Sequence, residues 1–173
     1  MEIRKLNPDE YKGKRYHTTY SSGGYYEVEF LDDHFSFLYR AFPGNRTFEL
    51  TDTLLSDWLE DPSLFGVFDG GVLMGLAEGS PERWNNRYRI TNIFVPEENR
   101  RCGVGSLLMD QLLREAQGCG ARMAVLETQS CNEGAIAFYR KMGFEVIGCD
   151  LYAYSNEDPA RHEVRIELGK KLI

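Results

Sequence analysis

The segment from Val104 to Ala116 constrains the fold of this chain more than any other, because its apolar residues repeat at helical spacing. Gly118 and Gly120 predict where this helix ends. A strand-like run that ends at Val95 precedes the helix, and the apolar run from Arg122 to Thr128 follows it. A strand, a helical crossover and a second strand place the two strands parallel in one sheet. The segment therefore predicts a sheet that is covered by helices.

Two hairpins are predicted on the N-terminal side of this segment. In the first, Tyr25 to Phe30 alternates apolar and polar residues and is expected to pair with Phe35 to Tyr39. In the second, Leu64 to Phe68 is expected to pair with Val72 to Glu78, because the intervening Asp69-Gly70-Gly71 supplies glycines for a tight turn. Both hairpins predict antiparallel neighbours in a sheet.

One short helix and one further strand are predicted around the second hairpin. The apolar residues between Leu54 and Leu59 repeat at helical spacing after the capping candidates at 51 to 53, and Pro62 is expected to end that helix. The run from Tyr88 to Val95 reads as a third consecutive strand, which Pro96 ends because proline cannot donate to a ladder.

The C-terminal third is predicted to contain one helix and two strands. Asn132 is a good N-cap for a helix from Glu133 to Met142, and Gly143 is a good residue to follow its end. The runs Phe144 to Tyr154 and Glu163 to Leu168 read as closing strands. The predicted fold class is therefore α/β (α+β), with a mixed, mostly antiparallel sheet of about six to seven strands flanked by helices.

Composition narrows the classes of function. A chain of 173 residues is expected to form one domain, and its formal net charge of −7 disfavours binding to a phosphate backbone and favours cationic partners. The N-terminal residues lack the apolar core of a signal peptide, and no apolar run is long enough to cross a bilayer, so a cytoplasmic location without membrane contact is expected. The four cysteines and three histidines lack metal-ligand spacing, so no metal site is predicted.

The loop from Arg100 to Gly105 is a candidate anion site. Because it lies between a strand and a predicted helix, its backbone N–H groups can point at an anion on the helix N-terminus. Gly103 and Gly105 would let a pyrophosphate approach closely, and Arg100 and Arg101 would add charged donors. The loop lacks the lysine of a P-loop and the third glycine of a dinucleotide motif. Two alternatives stay open, a phosphate cradle and a glycine-rich helix start without a ligand.

This loop is the first of an ordered set of motifs. Val95-Pro96, then Arg100 and Gly103-Val104-Gly105, match the pattern R/Q-x-x-G-x-G/A at the start of a helix. Asn132 to Phe144 matches the pattern N-x-x-A-x-x-x-Y-x-x-x-G-F. In this order the chain resembles the GNAT superfamily of N-acetyltransferases, from about Leu64 to the C-terminus. The resemblance implies one acyltransferase domain over residues 1–173, with an acceptor-side part at 1–63 and an acetyl-CoA-binding core at 64–173.

Three further segments resemble the streptothricin acetyltransferase subgroup. They are Glu82 to Arg87, Val125 to Gln129, and Gly143 through Asp150 to Tyr152. The subgroup's commonest loop, R-G-x-G-x-G, differs here because Arg101 and Cys102 follow Arg100. Arg100, Gly103 and Gly105 are retained, so cofactor binding is still expected.

The resemblance implies acetyl-CoA as cofactor and direct attack of an amine on the thioester in a ternary complex. It places pantetheine between the strands that end near Val95 and Leu126. A backbone N–H near Ile93 or Phe94 would stabilise the developing oxyanion, by about 2 to 4 kcal/mol. The expected cofactor contacts are Ile93, Phe94, Val95, Arg100, Arg101, Cys102, Gly103, Val104, Gly105, Ser106, Asn132, Ala135 and Tyr139.

Tyr139 is the predicted general acid. It follows Ala135 by one helical turn, and a phenol at this place would protonate the leaving thiolate; the alternative is a core aromatic residue. Asn132 is expected to bind pantetheine amides as well as cap the helix, or to act as a cap alone. Cys131 is interpreted as incidental, because no histidine lies nearby in sequence to activate it.

Glu78 and Glu127 are the candidate general bases. Each lies near the end of an apolar strand, where a carboxylate is costly unless it faces a cleft or is paired, so a paired structural role is the alternative for both. Asp150, Tyr152, Trp84 and Asn85 are candidates for the acceptor pocket.

The predicted activity is transfer of an acetyl group from acetyl-CoA to a primary amine of a small cationic acceptor, a streptothricin-like antibiotic or a related amine. A protein or peptide acceptor, through an N-terminal amine or a lysine, is the first alternative. A CoA-binding sensor without turnover is the second, and a homodimer is considered possible. No nucleic acid partner is expected.

Overall fold

Nine strands and four α-helices form the chain, and the computed structural model describes all 173 residues. The strands are β1 (Glu2–Lys5), β2 (Arg15–Leu31), β3 (His34–Thr53), β4 (Ser63–Asp69), β5 (Val72–Glu82), β6 (Arg87–Phe94), β7 (Met123–Gln129), β8 (Glu145–Asp150) and β9 (Arg165–Lys171). The helices are α1 (Pro8–Tyr11), α2 (Val104–Gly118), α3 (Glu133–Lys141) and α4 (Asp158–Arg161), and a 3-10 turn covers Glu97–Asn99.

Seven of these strands form one sheet in the order β1-β4-β5-β6-β7-β9-β8, and β2 and β3 form a separate two-stranded ribbon. The pairs β1–β4, β4–β5, β5–β6 and β8–β9 are antiparallel, and β6–β7 is parallel. The predicted fold class, a mixed and mostly antiparallel sheet flanked by helices, is therefore confirmed.

The chain divides into two compact units. The first unit contains residues 1–18, 51–126 and 170–173, and the second contains residues 19–50 and 127–169. Each unit combines segments that are distant in the sequence. One acyltransferase domain, with parts at 1–63 and 64–173, stays a prediction.

The helix and the two strands next to the predicted anion-binding loop lie where the sequence pattern predicted them. α2 begins at Val104 and buries one face, including Leu108, Leu112 and Ala116. Gly120 follows the helix with a φ of 73°, which favours glycine. β6 and β7 pair in parallel from Arg87 with Met123 to Arg89 with Val125, as a crossover connection requires.

The predicted helix between Leu54 and Leu59 is wrong. β3 continues to Thr53, and turns and bends follow. Leu54 and Leu55 are both buried in one cluster of the first unit, together with Leu64 and Leu76. Their backbone groups bond to distant partners, since Leu54 N–H donates to the carbonyl of Lys14. Tertiary packing therefore replaces the helical hydrogen bonds that the apolar spacing suggested.

The other differences concern length. The first predicted hairpin is the ribbon β2–β3, which is much longer than the runs Tyr25–Phe30 and Phe35–Tyr39. β8 ends at Asp150, so the predicted strand to Tyr154 is too long, and the loop after it contains the short helix α4. No helix of the chain is long and apolar enough to span a membrane.

Candidate active site

The predicted phosphate-binding loop leads into the N-terminus of α2, in the first unit, which has no side-chain cap. Gly103 occupies the N-cap position of α2 with a φ of 87°, and no side chain caps the helix. No acidic residue lies in the first helical turn. The first N–H groups of a helix have no partner within it, so an anion is favoured there by hydrogen bonding and by the helix dipole.

Space for a ligand exists beside this N-terminus. A Cβ added to Gly103 would have no atom within 4 Å, so the backbone faces open space at this point. Cys102 beside it is exposed, and Arg101 is exposed with a φ of 62°. The region from Arg101 to Ser106 therefore offers backbone donors and one exposed guanidinium, which fit a pyrophosphate such as that of acetyl-CoA.

Arg100 differs from the exposed Arg101 because its guanidinium makes hydrogen bonds within the protein. Its Nε donates to the carbonyl of Val95 at 3.0 Å, and its guanidinium also donates to the hydroxyl of Thr18 at 2.9 Å. The first bond connects the start of the loop to the residue after β6, and the second connects it to β2. The structure therefore gives Arg100 a role in shaping the loop, which sequence reasoning had described only as charge for the phosphates.

Gly75 on β5 was missed by sequence reasoning. A Cβ added there would lie 2.9 Å from Cγ1 of Val104 and 2.9 Å from the carbonyl oxygen of Phe94. Val104 is the first residue of α2 and is buried. The missing side chain thus lets the start of α2 pack directly on the sheet beside the end of β6. A glycine inside an otherwise apolar strand was the available signal.

β6 contains a bulge just before the residues predicted to bind the thioester. Glu78 pairs with Asn92, but Gly79 pairs with Ile90, so Thr91 is an extra residue in β6. A bulge bends its strand and increases the local twist. Pairing of β6 with β7 stops at Arg89, before the bulge. Ile93 and Phe94 therefore lie on a part of β6 that diverges from the parallel pair.

Asn132 and Cys131 lie at the start of α3 in the second unit. The Oδ1 of Asn132 accepts from the N–H of Ala135 at 3.2 Å, so the capping role is present. Cys131 is fully buried, and burial raises the pKa of its thiol to about 11. Its sulfur lies 3.2 Å from the hydroxyl of Tyr20. A thiol in this state is protonated at neutral pH and is a poor nucleophile.

Tyr139 lies in the last part of α3, where its ring centroid is 5.6 Å from that of Phe138 and 6.3 Å from that of Phe144. Its hydroxyl makes no hydrogen bond to the protein. Desolvation raises the pKa of this phenol to about 12, so it keeps its proton at all physiological pH values. The ring contacts with Phe138 and Phe144 hold the side chain of Tyr139 in place.

Glu127 and Asp150 are brought together in the second unit by Arg165. The guanidinium of Arg165 lies 3.6 Å from Glu127, 3.7 Å from Asp150 and 3.3 Å from Glu167. Three carboxylates thus surround one arginine, and we call these four residues the carboxylate cluster. The backbone N–H of Tyr152 donates to Asp150 at 3.0 Å, which places the predicted tyrosine next to the cluster.

Glu78 has a different environment. It belongs to the first unit, it is 1% exposed, and both of its carboxylate oxygens accept hydrogen bonds from neighbouring residues. The two candidate bases therefore differ, because Glu127 is partly exposed and Glu78 is enclosed. In the sequence both glutamates lie near the ends of apolar strands, so the sequence did not show which of them is buried.

Trp84 and Asn85 lie in the turn before β6, at the opposite end of that strand from Ile93. The side chain of Asn85 accepts from the N–H of Arg87 at 3.1 Å, so it shapes the turn. Trp84 is 83% exposed and lines a cavity of about 190 Å³ together with Trp58. An acceptor role for these two residues stays a prediction.

Comparison with known proteins places this geometry in a family. Residues 29–144 match the model of the acetyltransferase (GNAT) family. The chain is 28% identical over 144 residues to the streptothricin acetyltransferase of Streptomyces lavendulae, covering 79% of this chain and 76% of that protein. This similarity agrees with the segments that resembled the streptothricin subgroup.

Solved structures agree over nearly the whole length. A nourseothricin acetyltransferase has a TM-score of 0.78 at 25% identity, covering 99% of this chain and 98% of that one. A proposed streptothricin acetyltransferase from Bacillus anthracis strain Ames, in complex with acetyl coenzyme A, has a TM-score of 0.76 at 20% identity and covers 99% of both chains. The second comparison bears on the fold alone. With the family match, the chain belongs to the GNAT family and is an acetyl-CoA-dependent N-acetyltransferase.

Proposed function

We propose that this enzyme acetylates a primary amine of a small cationic molecule, of the streptothricin type or a related amine. The observation that carries the proposal is the carboxylate cluster, in which Glu127, Asp150 and Glu167 surround Arg165. The similarity to streptothricin acetyltransferases supports the same class of acceptor.

The charge of the carboxylate cluster favours a cation. Three carboxylates and one guanidinium leave two negative charges in excess, and the Arg165 contacts of 3.6 and 3.7 Å to Glu127 and Asp150 are long for ion pairs. Glu127 and Asp150 have side chains that are 39% and 48% exposed, so solvent and ligands reach them. An ammonium group would be attracted to these exposed carboxylate oxygens.

Each cofactor residue has a proposed role of its own. When bound, acetyl-CoA supplies an activated thioester as the acetyl donor. The backbone N–H groups at Gly103 to Ser106 hold its pyrophosphate, and the exposed Arg101 adds positive charge. A peptide N–H at Ile93 or Phe94 donates to the thioester carbonyl oxygen. The side-chain amide of Asn132 bonds the pantetheine arm while its Oδ1 caps α3.

Proton movements are assigned to two side chains. The amine must lose a proton before it attacks, and the partly exposed carboxylate of Glu127 accepts that proton directly or through water. The hydroxyl of Tyr139 donates a hydrogen bond or a proton to the sulfur that leaves. Its raised pKa, about 12, keeps the hydroxyl in the donating form. The amine attacks the thioester directly, so no covalent enzyme intermediate forms.

Release of free CoA thiol with different amines tests the proposal. We would compare streptothricin-type and polyamine acceptors with neutral primary amines and with short peptides that have free N-termini, at two salt concentrations. We expect the highest kcat/KM for the cationic small molecules, with a decrease as salt rises, because screening weakens attraction between charges. Turnover confined to peptides would replace the proposed acceptor with a protein. Binding of CoA without turnover of any amine would indicate a sensor.

A cytoplasmic location and a homodimer stay predictions. The first would be checked by fractionation of cells that express the chain, and the second by light scattering of the purified protein.

A further inference from the structure

The side chain of Glu78 connects three segments of the first unit. Its Oε2 accepts from the backbone N–H of Leu55 at 2.5 Å. Its Oε1 accepts from the Nδ2 of Asn92 at 3.1 Å and from the hydroxyl of Thr91. The hydroxyl of Tyr16 in turn donates to the Oδ1 of Asn92. Glu78 is only 1% exposed, so these donors, and not bulk water, satisfy its carboxylate oxygens.

Two of these donors belong to the bulge in β6. In a regular strand, successive side chains point to opposite faces, so Thr91 and Asn92 could not both reach one carboxylate oxygen. The extra residue at Thr91 turns both side chains toward Oε1 of Glu78. Polar groups in the interior require partners, and the same carboxylate satisfies both. Glu78 therefore stabilises the bulged geometry over a regular strand.

We propose that Glu78 is a positioning residue, which holds the bulge at Thr91 and thereby sets the place of the peptide groups of Ile93 and Phe94. This inference rests on the proposed role of those N–H groups at the thioester carbonyl. The extra residue Thr91 lies two residues before Ile93, and Phe94 is fixed further by ring contact with Tyr16, whose centroid is 4.8 Å away. Loss of the carboxylate would allow this part of β6 to shift.

This proposal gives Glu78 a positioning role in place of the general-base role that the sequence suggested. A base must reach the amine or a water that reaches it, and a fully buried carboxylate with both oxygens in use does not. The contact with Leu55 adds a second reason, because Leu55 has a φ of 56°, an unfavourable conformation that the carboxylate helps to hold. Glu78 therefore orders the wall of the site without touching the reacting atoms.

Two substitutions at Glu78 separate the roles. Glu78→Gln keeps the shape and can keep the network, since the Asn92 amide can rotate and accept from the new NH₂ while donating to the hydroxyl of Tyr16. Glu78→Ala removes every bond. We expect kcat of Glu78→Gln within about threefold of the parent, with the acid limb of its pH profile unchanged, and a loss of about 10- to 100-fold in Glu78→Ala. Thr91→Val, which removes one bond and keeps the shape, should lose about three- to tenfold.

Amide hydrogen exchange of the free protein gives a readout without activity. We expect faster exchange in residues 90–95 of Glu78→Ala and Thr91→Val than in Glu78→Gln or the parent. If Glu78→Ala does not fold, Thr91→Val decides. Equal loss of kcat in both Glu78 variants, with disappearance of the acid limb, would identify Glu78 as the base and overturn the proposal. Unchanged exchange in Thr91→Val would also overturn it, whereas a parent protein without turnover would refute the proposed function alone.

Discussion

Gly75 and Val104 approach so closely that a single added methyl group would not fit between them. The Cβ of an alanine at position 75 would lie 2.9 Å from Cγ1 of Val104. Because Val104 begins α2, this contact connects the interior of β5 to the helix N-terminus that is predicted to bind pyrophosphate.

Gly75→Ala should therefore weaken binding of acetyl-CoA. The added Cβ would displace the start of α2 and the carbonyl of Phe94, at a cost of about 1 to 3 kcal/mol in stability. We expect affinity for acetyl-CoA to fall about tenfold in titration calorimetry. Gly118→Ala, in the last turn of the same helix with open space around it, is the matched control and should bind as the parent does. If Gly75→Ala bound acetyl-CoA as tightly as the parent, the packing of Gly75 against Val104 would not contribute to cofactor binding.

Gly103→Ala tests the cradle itself. Gly103 has a φ of 87° and Gly120 a φ of 73°, both have open space around the added Cβ, and they lie at opposite ends of α2. Both alanine variants should lose about 1 kcal/mol of stability from backbone strain. Only Gly103→Ala should lose acetyl-CoA affinity, by roughly tenfold or more, because its added Cβ would stand where the pyrophosphate is proposed to approach the helix N-terminus. Equal affinities in the two variants would move the pyrophosphate site elsewhere.

Tyr139→Phe should lower kcat by about 10- to 1000-fold, because it removes the proton donor and keeps the ring. Thermal stability and the KM for acetyl-CoA should change little, since Tyr139 has no hydrogen bond to the protein. Tyr11→Phe serves as a control for the same chemical change. Rapid-mixing turnover measures the effect, and an undiminished kcat when chemistry is rate-limiting would reduce Tyr139 to a packing residue.

The pH dependence of the enzyme's activity provides a second test of the role of the Tyr139 hydroxyl. Its pKa is raised to about 12, so the neutral hydroxyl is present below that value and is lost only as pH rises through it. The fall in activity on the alkaline side, measured up to about pH 10, should therefore not come from this residue. An alkaline limb below pH 10 that disappears in Tyr139→Phe would contradict the raised pKa.

Substitutions in the carboxylate cluster should affect cationic acceptors selectively. Glu127→Gln and Asp150→Asn each remove one negative charge, so kcat/KM for a cationic amine should fall about tenfold and become less dependent on salt. Loss of kcat alone in Glu127→Gln would support its role as base. Glu145→Gln, an exposed carboxylate on β8, is the control. Equal losses for neutral and cationic amines in Asp150→Asn would count against an acidic acceptor pocket.

Local patterns predicted the parts of the fold that local physics controls. The helix α2 follows from apolar spacing, and the β4–β5 hairpin follows from Gly70 and Gly71, whose positive φ angles of 54° and 86° form the turn. The segment after Thr53 could not be predicted in this way. Its leucines have helical spacing, but their burial and the bond from Leu55 to Glu78 depend on residues far along the chain.

The candidate site also contains some residues that local sequence patterns identified and others that they did not. The loop at Gly103 and the cap at Asn132 were recognisable, because glycine and asparagine have specific roles at helix ends. Glu78 and Glu127 were indistinguishable, since both are carboxylates near the ends of apolar strands. Their difference comes from neighbours: Glu78 is surrounded by donors of the first unit, and Glu127 shares Arg165 with Asp150.

The construction of the second unit has a consequence for biosynthesis. Residues 19–50 are translated well before residues 127–169, yet the two stretches belong to one compact body. The ring of Tyr25 stacks on His162 at a centroid distance of 3.7 Å, and Phe42 lies 5.8 Å from the same imidazole. While the ribosome adds the intervening residues, both rings lack the imidazole that they contact in the folded unit. The nascent ribbon therefore stays exposed to chaperones and to neighbouring chains until residues 127–169 emerge from the ribosome.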